Sequence, residues 1–168
     1  MHTIRCSNMP SSPTVRHAVP DEAGRLSSLA LHSKQHWEYS REFMESCRAE
    51  LTVDPKRMLN DDVEYVVAED SDTIIGFYAI EAVSAKVFEL EALFVDPERV
   101  GCGVGRVLIQ HAVRNVAAKG GHTLLIQSDP NASRFYTAAG AVQIGTRESE
   151  SIPGRLLPLF QIDTRTVG

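Results

Sequence analysis

Residues 93–106 read LFVDPERVGCGVGR, an apolar strand segment followed by three glycines at alternate positions. Apolar side chains at helical spacing come next, which predicts a helix from about Gly103 to Ala118. Glycines let a backbone approach a ligand closely, and the first N–H groups of a helix lack intrahelical partners. A turn of this kind between a strand and a helix therefore predicts a diphosphate site, and the alternative is a tight turn with no ligand.

The glycine pattern excludes two familiar nucleotide-binding motifs. A P-loop would continue with Lys and then Ser or Thr, but Arg106 and Val107 follow the last glycine. A Rossmann dinucleotide motif would need its third glycine where Arg106 or Leu108 stands. The charge around the turn still favours an anionic ligand, because residues 99–119 hold four basic residues and no Asp or Glu.

The composition limits the class of protein. The 168 residues are 43% hydrophobic and 23% charged, which is typical of one globular domain and excludes a disordered or fibrous chain. The net charge of −5 argues against a nucleic-acid partner, since nucleic-acid binding depends on Lys and Arg contacts to phosphates. The three cysteines form no Cys-x-x-Cys pair, so a zinc ribbon is not indicated.

The apolar segments of the chain are short. None reaches the roughly 18 residues of a membrane span, and the N-terminal residues lack the apolar stretch of a signal peptide. We therefore expect no membrane partner and a cytoplasmic location. Residues 1–13, which end in PSSP, are predicted to be a flexible leader, and residues 14–168 a single domain.

Predicted strands and helices alternate along the chain. The order is strand, two helices, three strands, helix, strand, helix and two strands. The first helix follows Pro20, and the second is predicted from about Trp37 to Leu51, where Pro55 closes the helical region. This order predicts a mixed α/β fold rather than a bundle or a sandwich.

Two motifs in this order resemble the GNAT N-acetyltransferase superfamily. The turn VGCGVG at residues 100–105 resembles the family turn that binds the diphosphate of acetyl-CoA, with Val100 where a Gln or Arg is usual. The segment NASRFY at 131–136 is similar to the later family signature. The stretch from His36 to Thr52 also resembles the sequences of a bacterial subgroup of this superfamily. The resemblance covers about residues 14–163, nearly the whole chain, and implies a mostly antiparallel central sheet of about seven strands flanked by about four helices.

The resemblance also implies acetyl-CoA as cosubstrate and a set of residues that hold it. Those implied to hold the cofactor are Leu93, Phe94, Val95, Val100, Gly101, Cys102, Gly103, Val104, Gly105, Arg106, Asn131, Ser133 and Phe135. Asn131 and Ser133 are also candidates for capping the following helix. No metal is expected, because His32 and His36 have i, i+4 spacing but Ser33 stands where a zinc-protease motif needs Glu.

Candidate catalytic residues lie on the strand before the turn and on the last helix. Glu89 and Glu91 are two apart in a strand, so they are predicted to share one face with Val87, Leu93 and Val95. A carboxylate beside apolar neighbours has a raised pKa, which suits a general base for an amine, and the alternative is a pair facing solvent. The resemblance ranks Glu89 above Glu91 as the base. It also implies that Tyr136 lies beside the sulfur of CoA, where its hydroxyl would protonate the leaving thiolate, and the alternative is ordinary helix packing beside Phe135.

The sequence gives fewer indications of the residues that would bind the amine acceptor. Residues 38–72 contain eleven acidic and four basic residues, which would suit a cationic amine, although a solvated acidic face is the alternative. Trp37 and Tyr39 are candidate substrate-binding residues, with core packing of the tryptophan as the alternative.

We therefore predict an acetyl-CoA-dependent N-acetyltransferase that transfers directly to a primary amine of a small molecule or a peptide. The alternative is a catalytically silent CoA-binding sensor or interaction module. The resemblance also suggests a homodimer.

Overall fold

The computed structural model of the chain describes residues 12–166. Most of the predicted leader at residues 1–13 lies outside the described residues, and so do the last two residues of the predicted domain. Within residues 12–166 no helix is both long and apolar enough to cross a bilayer.

Residues 12–166 form seven strands and four α-helices in the predicted order. The strands are β1 (Thr14–His17), β2 (Val63–Asp70), β3 (Thr73–Ala82), β4 (Val87–Val95), β5 (Thr123–Gln127), β6 (Val142–Glu148) and β7 (Leu156–Asp163). The helices are α1 (Ala23–Gln35), α2 (Arg41–Leu51), α3 (Val104–Ala118) and α4 (Ser133–Ala138). The strands make one sheet in the order β1-β2-β3-β4-β5-β7-β6, and only the β4–β5 pair is parallel. The predicted α/β class and the mostly antiparallel sheet are confirmed.

The sheet carries a separate hydrophobic cluster on each face. Helices α3 and α4 cover one face, because the apolar side chains of α3 recur at helical spacing and pack on alternate residues of the strands. Helices α1 and α2 cover the other face. The first cluster includes Tyr78, Phe88, Leu90, Leu108, Ile109, Ala112, Val116 and Tyr136, and the second includes Leu26, Leu29, Met44, Cys47, Leu51, Val67 and Phe77.

A β-bulge at Glu91 changes which residues of β4 face which helices. Leu90 pairs with Ile80 and Ala92 pairs with Ala79, so Glu91 is an extra residue without a partner on β3. The alternation therefore shifts by one: Phe88 and Leu90 pack on the α3 face before the bulge, and Leu93 and Val95 do so after it. The prediction that Leu93 and Val95 share a face with Glu89 and Glu91 was wrong, because strict alternation does not anticipate a bulge.

Pairing between β4 and β5 ends just before the bulge. The last paired residues are Leu90 and Ile126, and beyond them the two strands separate while β4 remains paired with β3. The sheet therefore opens into a splay, with residues 91–95 on one edge and residues 127–129 on the other.

Helix α2 begins four residues later than predicted. Ser40 caps it, since its side chain accepts a hydrogen bond from the Phe43 amide at 3.1 Å. Glu38 has φ of 59°, a left-handed conformation that breaks the helical path. Residues 37–39 therefore form a connection between α1 and α2, from which Trp37 and Tyr39 project.

Packing at Gly121 leaves no room for a side chain. A Cβ there would lie 2.5 Å from Cγ1 of Val116 and 2.9 Å from Cδ2 of Phe88. We expect Gly121→Ala to lower the free energy of unfolding by about 1–3 kcal/mol through overpacking. Chemical denaturation measures the change. Gly24→Ala is the control, because nothing lies within 4 Å of a Cβ at that helical site, and its stability should stay level or rise.

Candidate active site

A cleft of about 1660 Å³ follows the splay from the glycine turn to the α1 and α2 side of the sheet. A smaller cavity of about 240 Å³ adjoins it beneath α1 and α2, and Glu50, Arg57 and Glu91 line both. The described part of the chain thus places the glycine turn, a split sheet edge and a side cavity along one continuous opening.

The glycine turn presents open backbone at one end of the cleft. Gly101 and Gly103 have φ of 84° and 87°, which β-carbon-bearing residues rarely adopt, and no atom lies within 4 Å of a Cβ at either position. Gly105 has a packing role instead, because a Cβ there would lie 3.0 Å from the ring of Phe135. The turn thus leaves the first amides of α3 accessible, at the end of the helix that carries partial positive charge.

The arginines beside the turn differ in their surroundings. Nη1 of Arg99 lies 2.8 Å from a carboxylate oxygen of Asp70, so its charge is largely offset. Arg106 lines the cleft and makes no ion pair within residues 12–166. Arg106 and the helix amides are therefore the main positive groups at this end.

The edge of β4 in the splay carries backbone donors. The Asp96 amide donates to the carbonyl of Ile75 at 2.8 Å, and ladder hydrogen bonds alternate along an antiparallel strand. The N–H groups of Leu93 and Val95 therefore point away from β3 and towards the open splay. Groups so placed can hold a carbonyl oxygen that develops negative charge.

Tyr136 lines the opposite side of the splay. Its side chain is buried among Phe135, Phe160 and the α3 cluster, and the residue is only 7% exposed. Burial raises the pKa of the Tyr136 hydroxyl, so the group stays protonated at neutral pH and can donate a proton or a hydrogen bond.

Glu91 and Glu81 form a pair of carboxylates, and one arginine, Arg57, contacts both. Nη2 of Arg57 lies 2.8 Å from Glu81 and 3.4 Å from Glu91. Burial, a hydrogen bond to Glu81 and the charge of Glu81 raise the pKa of Glu91 to about 7. The pKa of Glu81 is lowered by its hydrogen bonds from Glu91 and Arg57. Glu91 is thus the member that takes and gives a proton near neutral pH.

Glu89 is neutralised by a different partner. Its carboxylate pairs with Nη1 of Arg147, which extends from β6, and both residues line the cleft. The Glu89 carboxylate is thus occupied by an arginine, whereas Arg57 lies nearer to Glu81 than to Glu91.

A model for the acetyltransferase (GNAT) domain matches residues 28–151 of this chain. The chain belongs to the GNAT acetyltransferase family. It is 30% identical over 98 residues to a peptidyl-lysine N-acetyltransferase, YjaB, of Escherichia coli, an alignment that spans 58% of this chain and 61% of that protein. The chain thus spans about three fifths of the length of that relative. A 5-NmdU N-acetyltransferase of Pseudomonas phage PaMx11 is 30% identical over 148 residues, which are 88% of this chain and 96% of that one.

A solved structure supports the fold. It is the PaiA N-acetyltransferase of Thermoplasma acidophilum in complex with coenzyme A, which superposes with a TM-score of 0.69 at 19% identity and covers 91% of this chain and 99% of that one.

The structure brings most of the sequence-predicted GNAT site residues to the cleft. Eleven of the thirteen predicted cofactor residues line it, as do Glu89, Glu91, Tyr136 and Trp37. Val104 does not, because its side chain is buried in the core at 1% exposure, and Ser133 does not line it either. Asn131 lines the cleft, but its side-chain amide donates to the Tyr39 hydroxyl at 2.9 Å.

Tyr39 lies behind the cleft wall rather than on it. Its hydroxyl donates a hydrogen bond to the Asp129 carboxylate, and its ring stacks on the ring of Phe43 with 4.1 Å between centroids. Trp37, in contrast, is 46% exposed and lines the cleft. The structure therefore gives these two aromatic residues different surroundings.

Several charged residues of the GNAT cleft had no signal in the sequence. Arg57 lies in a short turn after α2, Glu81 lies on β3, and Arg147 lies on β6. Each meets its partner only in the folded chain, because that partner belongs to a different element. A cross-strand pairing of β3 with β4, which places Glu81 opposite Glu89, is the one pattern that could have found Glu81.

The two-carboxylate pair gives a titration prediction. Glu91 should titrate near pH 7 by carboxyl carbon NMR, and Glu81→Gln should lower that midpoint, because the substitution removes the neighbouring negative charge and frees Arg57 to turn to Glu91. Glu89→Gln is the control and should move the midpoint much less. A Glu91 midpoint that stays near 7 in Glu81→Gln would contradict the pairing.

Proposed function

We propose that the chain is an acetyl-CoA-dependent N-acetyltransferase that acylates a primary amine directly, in a ternary complex with both substrates. The observation that carries this is the carboxyl of Glu91, with a side chain that is 31% exposed and a pKa near 7, at the edge of a splay that also presents free backbone amides and the Tyr136 hydroxyl. Membership of the GNAT family and the coenzyme A complex of the Thermoplasma structure support the cofactor.

The residues at the glycine turn fit the diphosphate of CoA. A β-carbon at Gly101 or Gly103 would project into unfilled space, and the helix amides with Arg106 supply the positive charge that a diphosphate needs. Val100 is 54% exposed and provides no polar side chain here, so this turn would hold the diphosphate mainly through backbone groups. When bound, acetyl-CoA supplies a thioester-activated acetyl group and a thiol leaving group.

The chain's own groups then have separate tasks. The amides of Leu93 and Val95 donate hydrogen bonds towards the splay, where a carbonyl oxygen gains negative charge. Glu91 accepts the proton that the amine nitrogen must lose, and Tyr136 donates the proton that the departing sulfur must gain. We place the base at Glu91 rather than Glu89, because Arg147 holds Glu89 as a paired carboxylate.

The acceptor would enter from the α1 and α2 side, where carboxylates outnumber cations. The cleft there is lined by Glu50, Glu81, Glu89, Glu91, Asp129 and Glu150 against Lys34, Arg57 and Arg147. This excess of negative charge favours a cationic amine, since it raises the local concentration of such a molecule. Relatives named for peptidyl-lysine and for 5-NmdU suggest the amines to try first.

Calorimetry tests the cofactor. Acetyl-CoA should bind, and Gly103→Ala should weaken binding at least tenfold, because the Cβ enters the diphosphate space. Gly120→Ala is a matched control: Gly120 has φ of 83°, also has no neighbour within 4 Å, and lies at the other end of α3. Both variants bear similar backbone strain of about 1–2 kcal/mol, so equal affinities in the two would sink the assignment.

A thiol-release assay tests the chemistry. The panel contains a lysine-containing peptide, 5-NmdU, spermidine and hydroxylamine. Turnover should rise with pH through a midpoint near 7, because Glu91 must lose its proton before it can accept one. Glu91→Gln should lower kcat/KM by about 10²–10⁴-fold and abolish this pH dependence, whereas Glu89→Gln should have a much smaller effect.

The same assay separates the enzyme from a CoA-binding sensor. Tight binding of acetyl-CoA without turnover of any panel amine would favour the sensor. Full activity of Glu91→Gln would show that the base has been assigned wrongly.

A further inference from the structure

The Tyr39 hydroxyl joins segments that are far apart in sequence. It donates to the carboxylate of Asp129, with distances of 2.9 and 2.8 Å to the two oxygens. It accepts from the side-chain nitrogen of Asn131 at 2.9 Å and from Nη2 of Arg155 at 3.3 Å. The connection between α1 and α2 is thus tied to the end of β5 and to the loop between β6 and β7.

The Tyr39 ring adds a second set of contacts. It stacks on Phe43 at an interplanar angle of 18°, and two cations approach this pair of rings. Nζ of Lys34 lies 5.5 and 5.6 Å from the two ring centroids, and the Arg155 guanidinium lies 5.6 and 4.8 Å from them. These are cation–π distances, so removing the hydroxyl alone would leave the rings and cations in contact.

Asp129 is the anion that both cations share. Lys34 lies 3.2 Å and Arg155 lies 4.0 Å from the same oxygen. Burial raises the pKa of Asp129, but the Asn131 amide, the Tyr39 hydroxyl and Lys34 together lower it below its ordinary value. The group is therefore a carboxylate at neutral pH, and it lies on the wall of the cleft directly after β5.

The segments tied together carry the acceptor side of the cleft. Trp37, Glu50 and Ser151 line it, and we call these three residues the acceptor wall. The Ser151 hydroxyl donates to Glu50, so α2 and the β6–β7 loop also meet each other. Since β4 and β5 no longer pair at this level, the wall's position relative to the splay depends on side-chain contacts such as those of Tyr39 and Asp129.

We propose that Tyr39 is a positioning residue, which through its hydrogen bond to Asp129 holds the acceptor wall at a fixed place relative to the acetyl group without contacting the acceptor itself. This rests on the proposed function. Tyr39 thereby acts on the acceptor indirectly, which differs from the direct contact expected from the sequence.

The test compares two acceptors in the Tyr39→Phe variant, which keeps the ring stack and loses the hydroxyl. One is hydroxylamine, which is too small to depend on the wall. The other is whichever of the lysine peptide, 5-NmdU and spermidine has the highest wild-type kcat/KM. We expect kcat/KM for the larger amine to fall about tenfold or more, while hydroxylamine turnover and the KM for acetyl-CoA stay within about twofold.

Tyr78→Phe is the matched control. The buried Tyr78 hydroxyl lies 2.7 Å from Nδ1 of His111 and accepts from Asn115 at 3.1 Å, and these partners are on α3, across the sheet from the acceptor wall. Its loss should leave the ratio of the two activities unchanged. Wild-type kcat/KM for the larger amine in Tyr39→Phe, or an equal loss with hydroxylamine, would overturn the proposal.

If the wild-type protein turns over none of the acceptor amines, the result refutes the proposed function rather than this inference. In that case amide hydrogen exchange tests the positioning role without any acceptor. Faster exchange in residues 41–51 and 149–155 of Tyr39→Phe, but not of Tyr78→Phe, would support the positioning role. Unchanged exchange in those segments would overturn it.

Discussion

Strands β4 and β5 stop pairing after Leu90 and Ile126, and the bulge at Glu91 follows at once on β4. Every part of the candidate site depends on this break. It opens the cleft and frees the edge amides of β4. The bulge moves Leu93 and Val95 beneath α3, while Glu91 faces the α1 and α2 side. If β4 and β5 paired along their whole length, the sheet would have no opening at this place. Paired strands would then separate the glycine turn from the acceptor wall.

Charge is divided along the cleft in a way that the net value of −5 hides. At the glycine end Asp70 offsets Arg99, so the helix amides and Arg106 supply most of the positive potential. At the other end, two arginines are shared unequally among three carboxylates: Arg147 pairs closely with Glu89, whereas Arg57 lies nearer to Glu81 than to Glu91. That inequality, together with burial, leaves Glu91 as the carboxyl that exchanges a proton near neutral pH.

The sequence was sufficient for much of the fold, because the element order and the glycine turn are local patterns that periodicity and glycine spacing reveal. It was also sufficient to select Glu89, Glu91 and Tyr136 as cleft residues. The bulge was not predictable, since a single extra residue in an apolar strand leaves no mark on its composition. Neither were Arg57, Arg147 and the Tyr39–Asp129 contact, whose partners lie up to 90 residues away in sequence and meet only in the folded chain.

A crystal structure of the protein with acetyl-CoA would test the central claim most directly. The splay between β4 and β5 should hold the thioester, with the carbonyl oxygen within hydrogen-bonding distance of the Leu93 or Val95 amide, the sulfur near the Tyr136 hydroxyl and the diphosphate on the turn at residues 101–106. Density for the acetyl group outside the splay, or a diphosphate bound away from that turn, would contradict it.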